Sequence, residues 1–119
     1  MSTEENRQQD QEAQKQAYEE AREQEEEPSG DQDFPEADFQ VFVSGLYTQT
    51  LMALGQVENP NTGEREKSLP ESSYLIDTLE ILREKTEGNL TQDESEYLNN
   101  IIHDLQVRYV QAAENDEEE

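Results

Sequence analysis

Lys85-Thr86-Glu87-Gly88-Asn89-Leu90-Thr91-Gln92-Asp93-Glu94 is the stretch that decides the fold. Gly88 marks the end of a helix, because glycine enters the left-handed backbone region without a steric penalty, and Lys85 places a cation at the negative end of the helix dipole. Thr91 and Glu94 spell a capping box, in which each side chain accepts a hydrogen bond from the other residue's backbone N–H. Only Glu87 to Leu90 separate this stop from this start. The two helices must therefore fold back on each other as an antiparallel hairpin.

Upstream of the turn, Leu75, Ile76, Leu79 and Leu82 recur at helical spacing, and Ser68-Leu69-Pro70-Glu71 matches a second capping box. Pro70 is tolerated there because a first-turn N–H has no intrahelical partner. The pattern predicts a helix over 69–86. Downstream, Leu98, Ile101, Ile102, Leu105 and Tyr109 predict another over 92–112. An earlier run places Phe39, Phe42, Val43, Leu46, Tyr47, Ala53 and Leu54 on one face of a helix over 38–54. Asp38 can cap it, Pro35 could open it a turn sooner, and Gly55 stops it. Asn59-Pro60-Asn61-Thr62-Gly63 is a turn cluster that favours a surface loop. Gly45, inside the leading helix, costs about 1 kcal/mol relative to alanine, so a close helix crossing is expected there. The expected fold is all-α: a small three-helix arrangement, spanning 34–110, in which the leading helix packs on an antiparallel helical hairpin.

Residues 1–33 and 111–119 contain no Val, Ile, Leu or Phe. The first segment holds 12 acidic against 3 basic residues, and the last six residues hold 5 acids and no base. Glu, Gln and Ala can visit helix but offer no stripe to bury, and Pro28-Ser29-Gly30 would break any helix that formed. We therefore expect a disordered acidic arm over 1–33 and an acidic C-terminal tail over 111–119. The net charge of −23 over 119 residues repels nucleic acid and anionic lipid, which leaves a basic protein partner or no electrostatic partner at all. Cysteine is absent, which fits a reducing compartment. Residues 1–5 lack the pattern of a secretory signal, and no apolar run reaches the ~20 residues of a membrane span, so a soluble cytoplasmic protein is expected.

Sites for chemistry are thin. His103 is the single histidine, on the outer stripe of the last helix with Val107 and Val110, and no convergent ligands accompany it. Asp77 and Glu80 lie on the outer side of the second helix, and Asp93, Glu94 and Glu96 serve the dipole at the start of the third. Ser44 lacks a nucleophile elbow, and no glycine-rich loop is present to hold a nucleotide. Asn89-Leu90-Thr91 is a formal glycosylation acceptor that reads as a capping segment. The sequence therefore points to no catalytic residue, no cofactor and no metal.

Each helix also carries apolar residues off its core stripe: Val41, Leu51 and Met52, then Tyr74 and Ile81, then Val107 and Val110. A helix apolar beyond one stripe wants a second burial partner, so self-association as a symmetric homodimer is expected.

Asp38-Phe39, Gln49 with Leu54-Gly55, Ile76-Asp77-Thr78-Leu79, the Lys85-to-Thr91 string and Arg108-Tyr109-Val110, in that order, resemble a bacterial family of short helical proteins classed only as a domain of unknown function. The resemblance covers roughly Pro35 to Val110, with the acidic flanks outside it. It implies a bacterial cytoplasmic protein and carries over no activity. It also singles out Gln49, Asp77, Lys85 and Arg108 as polar residues that packing alone does not demand. Asp77 or Gln49 could pair with Arg108 or Lys85, between helices or between copies; the alternative is that they are simply exposed polar side chains. Three classes of function follow: a non-enzymatic interaction or self-associating module, which the residues favour; an acidic nucleic-acid mimic or clamp for a basic protein; and a ligand or metal site near His103, which would need His103, Asp77 and Arg108 to converge.

Overall fold

The computed structural model describes residues 3–25 and 34–118. They form four helices, α1 (Thr3–Glu25), α2 (Phe39–Ala53), α3 (Leu69–Lys85) and α4 (Gln92–Glu118), and the chain divides into two compact units, Met1–Pro35 and Glu36–Glu119.

The count of four corrects the expected three. The segment read as a disordered arm contains α1, whose residues are strong helix formers over a length well past the ~12–15 residues at which an isolated helix becomes marginal. Within it, the Arg22 guanidinium lies over the Tyr18 ring at 5.8 Å, a cation–π contact one turn apart. The expected break at Pro28-Ser29-Gly30 lies outside the described residues.

In the second unit α2, α3 and α4 each pack against the other two. Leu79, Leu98 and Leu105 are fully buried, with Val43, Leu54, Ile76, Ile101 and Ile102 beside them, so the core face follows the apolar periodicity of all three helices. Phe42 is the exception on α2, standing 55% exposed although its spacing placed it inward. Leu51 departs the other way: it packs half-buried against the core. Phe39, Val43, Leu46 and Thr50 already fill the inward stripe of this short helix, and Phe42 lies at its margin. Thr50 and Ser72 are buried without loss, because their hydroxyls donate to Leu46 O and Ser68 O one turn back, each at 2.7 Å.

The punctuation behaves as its chemistry requires. Asp38 accepts from Val41 N at 2.8 Å. Gly55 (φ 75°) closes α2 with paired bonds from Gly55 N to Met52 O and from Gln56 N to Leu51 O, a Schellman motif. The Thr91–Glu94 box is complete, with Thr91 N to Glu94 Oε1 at 2.8 Å and Glu94 N to Thr91 Oγ1 at 3.1 Å. The Ser68–Glu71 box is half-formed: Glu71 N donates to Ser68 Oγ, while Ser68 N donates to Ala53 O at 2.7 Å. That bond continues a one-pair antiparallel bridge, Leu54 with Lys67, which cinches the base of the 55–67 loop.

The C-terminal segment is a second correction, since α4 runs through the expected tail to Glu118. Ala112 is buried, too small to register as a core residue in the sequence, and Lys67 Nζ donates to its carbonyl at 3.1 Å while ion-pairing with Asp116. Gly45 corrects a third expectation. A Cβ there would meet nothing within 4 Å, so it marks an open surface rather than a close helix crossing.

No helix among the described residues is long and apolar enough to cross a membrane.

Candidate functional site: the outer face of α3 and α4

Three features of the second unit stand apart from its core. At the α2/α4 seam, Tyr47 Oη donates to Asp104 Oδ2 at 2.7 Å, Arg108 Nε donates to the same oxygen at 2.8 Å, and an Arg108 Nη donates to Gln56 Oε1. Burial opposes ionisation of Asp104, but the two hydrogen bonds and the guanidinium charge outweigh it and hold the carboxyl below its usual range. The same bond, with burial and the carboxylate charge, pushes the Tyr47 phenol up, and Asp104 chiefly raises Arg108. This cluster fastens α4 to α2 and to Gln56, the last residue of the Schellman turn. Its three hydrogen bonds run among its own members, which suits a structural clasp.

Between α2 and the loop lies a cleft of about 600 Å³, walled by Gly45, Gln49 and Met52 on one side and Asn59, Asn61 and Glu71 among the residues opposite. Gly45 is where the missing side chain widens it. Gln49 and Met52, which the sequence singled out, are placed on this cleft.

The third feature is the outer face of α3 and α4. Glu80 Oε1 accepts from Gln106 Nε2 at 2.7 Å and Asn99 Oδ1 accepts from Arg83 Nη1 at 3.1 Å, and these two cross-links set the antiparallel register. Tyr74, Asp77 and Ile81 follow one stripe of α3; His103, Val107, Val110 and Glu114 follow one stripe of α4. The four apolar members are exposed: Tyr74 69%, Ile81 56%, Val107 43% and Val110 52%. Between the helices runs a groove of about 200 Å³, with Ile76, Tyr109 and Val110 as its apolar surface and Ser73, Asp77 and Gln106 as its polar residues. Gln106 and Val110 are shared with a shallower depression of about 410 Å³ beside His103 and Val107, so the two run together.

The residues singled out by the sequence do not assemble into one place. Asp77 lines the α3/α4 groove and His103 the depression beside it, whereas Arg108 sits at the opposite seam of α4. His103, Asp77 and Arg108 thus do not converge, and no group of three His, Asp or Glu is placed to hold a metal ion among the described residues. Within the chain, Arg108 bonds to Asp104 and Gln56 and not to Asp77 or Gln49, and Lys85 is exposed near the end of α3. Asp104–Arg108 was readable as an (i, i+4) pair; Tyr47 and Gln56 as its partners were not, because both come from beyond the hairpin. Of the seven off-stripe apolar residues, Leu51 belongs to the core surface and Met52 to the cleft, Val41 is exposed on α2, and the remaining four are exposed on α3 and α4.

These features define a small helical bundle, a leading helix on a hairpin, that leaves an apolar face uncovered. The chain belongs to the family described as Domain of unknown function (DUF1844), whose sequence model matches residues 36–111. That span begins with the second unit and ends one residue before the buried Ala112. No curated protein and no solved structure matches the chain.

Proposed function

We propose that this protein is a non-enzymatic interaction module that binds another protein through the outer face of α3 and α4. The observation that carries the reading is the set of four exposed apolar side chains on two adjacent helices, Tyr74 and Ile81 on α3 and Val107 and Val110 on α4, with Val110 also lining the open groove between them; the other exposed apolar residues of the bundle, Val41, Phe42 and Val57, lie off these two helices. Isolated exposed apolar residues are ordinary, but several gathered on two adjacent helices beside an open groove suit an interaction surface. Covering these side chains returns of order 1 kcal/mol each, which suits a reversible partner. Self-association through the same face is one form this reading takes.

The test is capture from a host lysate with the full chain, comparing the wild type with the double variant Ile81→Ser/Val110→Ser and with Phe42→Ser on α2 as a control, alongside sedimentation velocity of each. A species, or a dimer, lost from the double variant and kept by Phe42→Ser supports the α3/α4 face. Identical captures and identical sedimentation for all three sink it.

A second reading, charge mimicry of nucleic acid, draws on α1, where eight acids face three bases within Thr3–Glu25. It is distinguished by a partner that survives the double variant and is lost as salt rises.

A further inference from the structure

We infer that the partner covering the α3/α4 face presents a basic amphipathic helix, with one Lys or Arg laid along the groove toward Asp77. The inference rests on the interaction reading above and names the chemistry of the occupant. Three observations carry it.

The first is the shape of the groove. Ile76, Tyr109 and Val110 give it an apolar surface, and Ser73 and Asp77 are its other α3 residues. An apolar channel of this size with a carboxylate at its side matches a long aliphatic stem that ends in a cation, which is the form of Lys and Arg. The Asp77 carboxylate is exposed, and no hydrogen bond or ion pair engages it among the described residues.

The second is the charge of the whole face. Asp77, Glu80 and Glu84 on α3, with Glu114 on α4, are its acids, and Arg83, the base closest to the seam, is already bonded to Asn99. A second copy placed symmetrically would set this acidic face against an identical acidic face, within chains that each carry −23. A basic segment is steered in by the same field that pushes a second copy away.

The third is the spacing of the apolar anchors. Tyr74 and Ile81 are seven residues apart on one stripe of α3, roughly 10 Å along the axis, on the far side of Asp77 from α4, and Val107 and Val110 are three residues apart on the outer stripe of α4. Exposed apolar side chains at these helical spacings on two adjacent helices suit a helix whose own apolar side chains recur at i, i+3, i+4 and i+7.

The experiment uses the full chain and a fluorescein-labelled synthetic peptide of about 18 residues, five helical turns, with Leu at i, i+3, i+4 and i+7 and Lys on the flanks. Two comparison peptides are needed: one of the same composition in scrambled order, and one with Gln in place of every Lys. Fluorescence anisotropy reads binding, and far-UV circular dichroism checks that each variant is folded. The expected result is that the ordered basic peptide binds, the scrambled one binds far more weakly, Asp77→Asn weakens binding about threefold to fivefold, and Ile81→Ser/Val110→Ser weakens it about tenfold or more. Equal binding of the scrambled peptide would overturn the inference in favour of bulk charge. If the Gln peptide binds as tightly as the Lys peptide and Asp77→Asn is silent, the basic partner is refuted while the face stands. If the chain is a dimer that the double variant dissociates, a second copy is the occupant and the inference falls. Peptide binding indifferent to the double variant overturns it too, and the lysate capture then shows whether the interaction reading falls with it.

Discussion

Ending the chain at Gln111 removes what composition alone marks as a dispensable acidic tail, and we expect the bundle to weaken measurably. Three contributions disappear together: the buried Ala112 methyl, at ~0.8 kcal/mol; the Lys67 Nζ bond to Ala112 O, at ~1 kcal/mol; and the Lys67–Asp116 ion pair. The ion pair is the smallest, since its side chains are 32% and 44% exposed and solvent screens it to a few tenths of a kcal/mol. The loss should total about 2 kcal/mol, or roughly 8–15 °C in Tm for a cooperative unit of this size. Urea denaturation followed by circular dichroism, with the slope checked for a change in exposed surface, measures it. Lys67→Met separates the contributions, because it keeps the side-chain stem beside Gly55 while removing both polar links, and should cost about 1 kcal/mol by itself. A truncated chain as stable as the full one would refute the idea that α4 is fastened beyond Gln111. Loss on truncation with none in Lys67→Met would leave the methyl and helix length as the cause, without the lysine.

Three further outcomes follow from the same structure. Gly45→Ala should stabilise the protein by about 0.5–1 kcal/mol, since the site is helical with open space for the methyl, whereas Gly55→Ala should destabilise it by 1 kcal/mol or more, because φ is 75° and the new Cβ would stand 3.1 Å from Lys67 Cβ; paired thermal melts decide both. Tyr47→Phe should cost about 1 kcal/mol between roughly pH 5 and 9. Because Asp104 is held low in the fold, its share is present above the ordinary carboxylate value and lost as pH falls through the depressed one; because Tyr47 is held high, its share is lost as pH rises through the raised one. The wild-type-minus-variant stability difference, measured across pH, should therefore shrink at both ends, and a flat difference would contradict the clasp. Leu98→Ala, at a fully buried position, should cost about 2–5 kcal/mol by equilibrium denaturation.

The parts of the fold legible in the sequence were those with local causes. Gly88 and the Thr91–Glu94 box announce the hairpin because capping is settled within a few residues, and the helical spacing of Leu75, Ile76 and Leu79 against Leu98, Ile102 and Leu105 follows from burial of one stripe per helix. What escaped reading depends on contacts distant in sequence or on small groups. Ala112 contributes one methyl, yet its burial and Lys67, 45 residues away, carry α4 past the apparent end of the domain. Ser68 looked like half of a reciprocal cap, but its N–H is taken by Ala53 across the loop. Phe42 and Leu51 changed places because the margins of an apolar stripe are set by the neighbouring helices, which periodicity within one helix does not encode. The candidate face was legible as a set of off-stripe residues, though not as a groove. Asp77 gained its significance from Tyr109 and Val110 across the seam, a juxtaposition that only the hairpin register creates.

The account rests on the outer face of α3 and α4 being the surface that takes a partner. The most direct measurement is a two-dimensional NMR titration of the ¹⁵N-labelled full chain with the unlabelled basic amphipathic peptide. Shifts concentrated at Tyr74, Asp77, Ile81, Gln106, Val107 and Val110, with Phe42 and Gln49 unmoved, are the expected result. Shifts spread along the acids of α1, or gathered at the Gln49 cleft, would contradict it.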